Sequence, residues 1–262
     1  GRAQLAADNL EAGIADLTRA VELNPEAPAL AEELADVLFT HGRFQEAVDY
    51  YQKALAAGDI TAQAHYRLAS SLIQLDRTDE ALPQLKSTLE LDASHEEARL
   101  SYAKLLNAKG RYAEAEQTLR LAKSQIDSDY FNELGTALLE QEKLDEAEEV
   151  ARNYMTYSPN TARPHALLGE IYLRRKQFDP ARRELIRALR IDPEEPQAQI
   201  ALGKAWLAIG QTRGDRGDLA KARRILVNAK GVPEGERLLI LGQVSLAEGS
   251  IGDAVQLLEQ AL

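Results

Sequence analysis

The sequence contains no cysteine, one tryptophan and one methionine. The absence of cysteine excludes a disulfide framework, a thiolate zinc site and a cysteine nucleophile. Aromatic residues make up 5% of the chain against 45% for all hydrophobic residues, so small aliphatic side chains must form the core. No apolar run approaches the roughly 18 to 20 residues of a membrane-spanning helix. These absences favour closely packed helices and argue against direct membrane insertion.

Basic side chains are also in the minority. The chain has 31 Lys and Arg residues against 42 Asp and Glu residues, for a formal net charge of −11. Because phosphate contacts need a basic face, this balance argues against a nucleic-acid partner. The exception is the segment 163–190, in which basic residues outnumber acidic ones. That segment is a candidate docking site for an acidic partner, or a solvated face balanced by neighbouring acids.

One amphipathic stretch recurs in similar form along the chain. HGRFQEAVDYYQKAL at 41–55 returns as KGRYAEAEQTLRLAK at 109–123 and as RKQFDPARRELIRAL at 175–189. The alanine inside this stretch recurs at Ala47, Ala81, Ala115, Ala147, Ala181, Ala222 and Ala254. A pair consisting of a large residue and then a small one precedes each of these alanines, as in Leu34-Ala35 and Leu168-Gly169. A period near 34 residues indicates stacked helix pairs, because neither helix of a pair can bury its apolar face alone.

This pattern resembles the tetratricopeptide repeat family, as a bacterial-type array, over essentially the whole chain. The resemblance implies an all-α fold, a right-handed α-solenoid (superhelix) of stacked antiparallel helix pairs, with helix A before helix B in each repeat. The predicted single array over 1–262 comprises a partial repeat at 1–27, full repeats at 28–61, 62–95, 96–127, 128–161, 162–195 and 196–234, and a final helix pair at 235–262.

Two departures from the pattern carry structural predictions. In the fourth full repeat Ala151 and Tyr154 stand where the first repeat has Tyr51 and Ala54, so large and small positions are exchanged with total volume conserved. The extra residues QTRGDRG at 211–217 predict a protruding loop or an additional helical turn.

No grouping of residues predicts chemistry. The four histidines are spread over three repeats, and His65 and His165 occupy equivalent packing positions in helix A. No phosphate-binding loop, nucleophile elbow or metal-binding histidine pair occurs. We therefore predict a protein that is not an enzyme, with no catalytic residue, no cofactor and no metal.

The resemblance implies where function lies. In the family, the second, fifth, ninth, twelfth and thirteenth places of each repeat lie on helix A and face a concave groove. The apolar residues predicted as groove anchors are Phe39, Tyr66, Ile73, Leu100, Leu173, Ile200 and Leu207. The basic residues predicted to select an acidic flank of the partner are Arg163, Arg174 and Lys204. Packing of this stripe against the neighbouring repeat is the alternative interpretation.

These positions predict a scaffold that binds a protein or peptide segment, extended or helical, in its groove. One alternative is an accessory arm that spaces or docks another domain of a larger bacterial envelope or polysaccharide-export protein. The other is self-assembly through the end repeats, since the last helix stays apolar to its final residue. The first residues already lie inside the repeat pattern, so we expect a segment of a longer protein. The Ala-, Leu- and Arg-rich composition favours the bacterial envelope or periplasm over the cytoplasm.

Overall fold

A computed structural model describes residues 10–58, 60–123 and 128–261. Within these ranges the chain forms fifteen α-helices and no β-strand, which confirms the all-α class. The helices are α1 Leu10–Leu23, α2 Pro28–Thr40, α3 Phe44–Ala57, α4 Ala62–Gln74, α5 Thr78–Leu91, α6 Glu96–Ala108, α7 Tyr112–Arg120, α8 Ser128–Glu140, α9 Leu144–Tyr157, α10 Arg163–Arg174, α11 Phe178–Ile191, α12 Pro196–Arg213, α13 Arg216–Val227, α14 Glu234–Glu248 and α15 Ile251–Gln260.

The helices follow the order of the predicted repeats. Even-numbered helices are the A helices and odd-numbered helices are the B helices. Each A helix packs on the B helix that follows it, and A helices of successive repeats also contact one another in the pairs α2–α4, α8–α10, α10–α12 and α12–α14. The chain divides into two compact units, unit 1 (Gly1–Ser124) and unit 2 (Gln125–Leu262). The start of the partial repeat and the end of repeat 96–127 lie outside the described residues, and a single array over 1–262 stays a prediction.

The turn between helix A and helix B requires one residue with left-handed backbone in each repeat. The residues that adopt it are Gly42 (φ 73°), Asp76 (58°), Gly110 (70°), Glu142 (58°), Lys176 (57°), Gly214 (65°) and Gly249 (88°). Glycine has no Cβ to clash in this region, whereas another residue loses roughly 1 to 2 kcal/mol there. Four repeats therefore have glycine at this turn position, and three have another residue there despite the free-energy cost.

The alanine that marks each repeat is buried throughout. Ala47, Ala81 and Ala115 in unit 1, and Ala147, Ala181, Ala222 and Ala254 in unit 2, are all 0% exposed. A small residue at this place on helix B lets the neighbouring helix backbone approach closely, as dense interior packing requires. The alanines that repeat along the sequence are thus core residues.

In unit 2, glycine is the small residue of the large–small pair on helix A. It lets helix B approach as closely as the buried alanine of helix B does. A Cβ added to Gly169 would lie 2.4 Å from Cγ and Cδ2 of Leu185, and one added to Gly203 would lie 2.6 Å from Cδ2 of Leu226. Both leucines are fully buried and cannot turn towards solvent. In unit 1 the same place holds alanine, as at the buried Ala69.

Both predicted departures have a structural explanation. Ala151 is 0% exposed and Tyr154 is 4% exposed, so the exchanged pair lies in the core as expected. The Tyr154 ring stacks on Phe131 with centroids 5.4 Å apart. At 211–217 the extra residues lengthen α12 to 18 residues, so the additional helical turn forms and the protruding loop does not. Asp215 then caps α13, because its side chain accepts a hydrogen bond from Gly217 N at 2.7 Å.

Candidate functional site

Four of the predicted groove anchors lie on the A helices of unit 1. They are Phe39 on α2, Tyr66 and Ile73 on α4, and Leu100 on α6. Each is partly exposed, so each has apolar surface left for a partner. Phe39 packs edge-on against Phe44 with ring centroids 5.9 Å apart, and the Tyr66 ring lies 4.6 Å from that of His95. These ring contacts fix the orientation of the aromatic anchors.

Polar groups beside these anchors bind one another. Arg67 forms an ion pair with Asp36, and the Tyr51 hydroxyl donates a hydrogen bond to the same carboxylate. Burial, reinforced by this hydrogen bond, raises the pKa of Tyr51, so the phenol keeps its proton. The Arg67 guanidinium also lies 5.9 Å from the centroid of the Phe39 ring. The cluster therefore ties the A helices of two successive repeats together.

The apolar anchors predicted in unit 2 differ in their burial. Leu173 on α10 is partly exposed. Ile200 and Leu207 on α12 are only 5% and 7% exposed and belong to a core cluster with Ile240 and Val244 of α14. The following A helix covers them, so they support the surface from beneath and present almost no area to a partner. For these two residues, the burial favours the alternative interpretation of the stripe as inter-repeat packing.

The three basic residues predicted to select an acidic partner already pair with other side chains, most of them in the adjacent repeats. Arg163 donates to Asn132, Glu195 and Gln197, Arg174 donates to Glu140 and Glu142, and Lys204 donates to Glu236. The residues in each pair are 31 to 34 positions apart, which is about one repeat. These bonds couple neighbouring repeats electrostatically, and they leave less positive charge for a partner than the sequence suggested.

A cavity of about 140 Å³ opens on the A-helix side of unit 2. Its polar lining comprises Asn132, Thr136 and Glu140 from α8, Arg163 and Glu170 from α10, and Gln197 from α12. All six stand at the second, fifth, ninth or thirteenth place of their repeats, the places that the family resemblance assigns to the groove. Sequence reasoning selected only Arg163, because it weighted apolar and basic residues. The place number alone would have found the other five.

Beside it, a smaller cavity of about 50 Å³ includes Glu170, Gln197, Ile200 and Glu236 in its lining. Glu170 and Gln197 therefore belong to both cavities. Burial raises the pKa of Glu170 to about 7. The charges of Lys204 and Arg174 oppose this rise, and those of Glu140 and Glu236 add to it.

The histidines at equivalent places have structural partners. His65 Nδ1 lies 2.8 Å from Gln84 Oε1, and His165 Nδ1 lies 2.8 Å from Glu184 Oε2. In both cases the bond joins helix A to helix B of the same repeat. Among the described residues, no group of three or more His, Asp or Glu side chains has the arrangement of a metal site. In the same part of the chain, no helix is both long and apolar enough to cross a membrane.

Comparison with known proteins gives concordant results. Residues 1–60, 72–132 and 138–207 match models of the tetratricopeptide repeat. No curated protein matches the chain. The chain is similar to the structure of yeast Tom70, at 15% identity and a TM-score of 0.59, over 97% of this chain and 55% of that one. It therefore spans about half the length of Tom70.

Two bacterial structures show the same likeness. The C-terminal part of a TPR repeat-containing protein from Cytophaga hutchinsonii is 12% identical, with a TM-score of 0.61 over 97% of this chain and 96% of that one. PilF of Pseudomonas aeruginosa is 20% identical, with a TM-score of 0.55 over 77% of this chain and 90% of that one. At such low identity these likenesses describe the fold alone.

Stacked A and B helices with a buried alanine in each B helix from α3 to α15 define a helical-repeat protein. Among such proteins, this chain belongs to the tetratricopeptide repeat family, whose models match most of its length. That family is an interaction fold, and the chain is accordingly a protein–protein interaction scaffold.

Proposed function

We propose that the scaffold is non-enzymatic and binds a peptide or partner segment along the A-helix faces of its units. A repeat buries its core between neighbouring repeats, and the remaining surface of helix A is then available to an extended or helical segment. Family membership supports the scaffold class, and the side chains on the A helices support the location.

The observation that carries the proposal is the partial exposure of apolar side chains at the fifth and twelfth places of the repeats. In unit 1 these side chains are Phe39, Tyr66, Ile73 and Leu100, and in unit 2 the example is Leu173. Burying an exposed side chain of this size fully is worth about 1.5 to 3 kcal/mol. Completing the burial of several of them would offset the loss of translational and rotational freedom on binding.

The acidic flank expected from Arg163, Arg174 and Lys204 has less support. An acidic partner would have to displace the carboxylates that these residues already hold. Such exchange gains little free energy, since one exposed ion pair replaces another. The apolar side chains therefore carry the proposal.

Peptides selected from a random 12-residue display library on the wild-type protein test it. Tyr66→Asp/Ile73→Asp in unit 1 and Leu173→Asp in unit 2 should each weaken the peptides that bind the corresponding unit at least tenfold. The matched control is Leu55→Asp/Leu91→Asp, which changes two exposed leucines on B helices (41% and 60% exposed) and should leave affinity unchanged. Circular dichroism confirms that each variant remains helical. The proposal fails if every selected peptide binds the groove variants as tightly as the wild type.

Self-assembly is a second candidate, supported by the last helix pair. Leu239 and Leu246 on α14 are 45% and 50% exposed, and Ile251 and Val255 on α15 are 68% and 47% exposed. An apolar surface of this kind can pair with a second copy. Light scattering should then show a dimer that Leu246→Asp/Val255→Asp converts to a monomer. A monomer at all concentrations rejects this candidate.

The accessory-arm function, in which the chain docks or spaces another domain of a larger envelope or polysaccharide-export protein, would use the same surfaces. The complete gene tests it, because an arm requires a further domain in the same polypeptide.

A further inference from the structure

The cavity on the A-helix side of unit 2 has room for more than ordered water. Its volume of about 140 Å³ can hold several water molecules, or the end of one side chain in their place. The apolar part of its lining includes Leu139 and Ala166, and Glu170 and Gln197 connect it with the smaller cavity. A side chain that enters here therefore meets apolar walls and reaches the carboxyl group of Glu170.

In the part of the chain that the structure describes, the cations near the cavity already bind side chains other than Glu170. Arg163 binds Asn132, Glu195 and Gln197, Arg174 binds Glu140 and Glu142, and Lys204 binds Glu236. Within the described residues, no hydrogen bond or ion pair reaches the Glu170 carboxyl group. A partly buried carboxylate without a donor loses hydration and gains no bond in return. The cavity thus has one uncommitted charge, and that charge is negative.

The fields around Glu170 come from four helices. Glu140 on α8 and Glu236 on α14 make its ionised form less favourable, while Arg174 on α10 and Lys204 on α12 make it more favourable. Arg163 of α10 lines the same cavity. Because the cations are shared with other carboxylates, the neighbouring charges do not cancel the effect of burial, and the pKa of Glu170 lies near 7. A cation delivered from outside would restore the lost stabilisation.

We propose that Glu170 accepts the cationic side chain of a lysine or arginine in the bound peptide, with the neighbouring cavity walls holding the aliphatic part of that side chain. The inference rests on the proposed function and specifies the partner of the same surface. Long-range attraction adds little here, because segment 163–190 around Glu170 has more basic than acidic residues, so the local contact with Glu170 carries the proposal. A basic segment is also the opposite of the acidic flank that the sequence suggested.

The test uses peptides selected at pH 8 from the random 12-residue library on the wild-type protein. Peptides that compete with one another for binding to unit 2 should share one lysine or arginine. Glu170→Gln should weaken them about ten- to a hundredfold in isothermal titration calorimetry. Glu149→Gln on α9, which changes an exposed acid of a B helix, is the matched control and should have no effect.

Two further measurements separate a direct contact from a structural effect. Replacing the shared basic residue with norleucine should weaken binding to the wild type but not to Glu170→Gln, and versions of the peptide with lysine or arginine show which cation is preferred. Lowering the pH from 8 to 6 should weaken wild-type binding towards that of Glu170→Gln, because protonation removes the charge.

The outcomes distinguish this inference from the proposed function. If the peptides that lose binding to the groove variants share no basic residue, the role of Glu170 is overturned and groove binding is left intact. The same conclusion follows if these peptides bind Glu170→Gln as tightly as they bind the wild type. Peptides that bind none of the A-helix surface overturn both.

Discussion

The close approach of helices at the glycine positions predicts a large effect of one methyl group. Gly169→Ala would place a Cβ 2.4 Å from two atoms of Leu185, a side chain that is 0% exposed. Overpacking of this kind costs about 1 to 3 kcal/mol. The better helix propensity of alanine returns up to about 1 kcal/mol. We expect a net loss of about 1 to 2 kcal/mol.

The chain offers a matched control in Gly252, near the start of α15. A Cβ added there would meet no heavy atom within 4 Å, so only the propensity gain remains. Gly252→Ala should therefore stabilise its helix by up to about 1 kcal/mol. The same substitution is thus expected to act in opposite directions at the two places, because only one of them lies at a helix crossing.

Repeat proteins often unfold in parts, so the assay should be local. Hydrogen exchange measured on peptides from α10 and α11 reports the Gly169 variant, and exchange in α15 reports the control. Leu185→Ala alone should cost about 2 to 5 kcal/mol, and its cost should fall when combined with Gly169→Ala, since the clashing atoms are gone. Unchanged or slower exchange in Gly169→Ala would refute the packing argument.

Three further changes have expected outcomes. Lys176→Gly relieves a left-handed non-glycine residue and should stabilise the protein by about 1 kcal/mol in urea unfolding, whereas no gain would contradict the turn assignment. Glu148→Gln removes the carboxylate bound by Arg175 and should cost about 1 to 3 kcal/mol, while Glu149→Gln should change stability by less than about 0.5 kcal/mol. Because burial raises the pKa of Glu170 to about 7 from an ordinary value of 4.5, stability should fall as pH rises between these values, with the loss complete above pH 7. Glu170→Gln should remove that fall, with a gain of up to about 3 kcal/mol at pH 8 and little at pH 4.5 in urea unfolding, and parallel pH profiles would contradict it.

The sequence predicts the repeat architecture well because the core is periodic. The marker alanines must be small where helices cross, so their spacing records the packing directly. The exchanged pair Ala151 and Tyr154 was predictable for the same reason, since volume is conserved within the core. The insertion was ambiguous, because the seven residues 211–217, which include Gly214 and Gly217, can form either a loop or a longer helix.

The candidate site was less predictable, because burial depends on the next repeat. Ile200 occupies the same place in its repeat as Tyr66, yet α14 covers Ile200, whereas Tyr66 stays partly exposed. Charge partners were hidden in the same way. Lys204 and Glu236 are 32 positions apart in sequence but within 3.0 Å in space. The place number within the repeat indicates which residues share a surface, and only coordinates show which of them are still available.

The most direct test of the account maps the surface that a selected peptide touches. Methyl-labelled protein would be titrated with the peptide, and the shift changes of individual side chains recorded by NMR. We predict changes concentrated at A-helix methyl groups, including those of Ile73, Leu100 or Leu173, with Leu55 and Leu91 of the B helices unaffected. Changes confined to B-helix methyl groups would contradict the claim that helix A forms the binding surface.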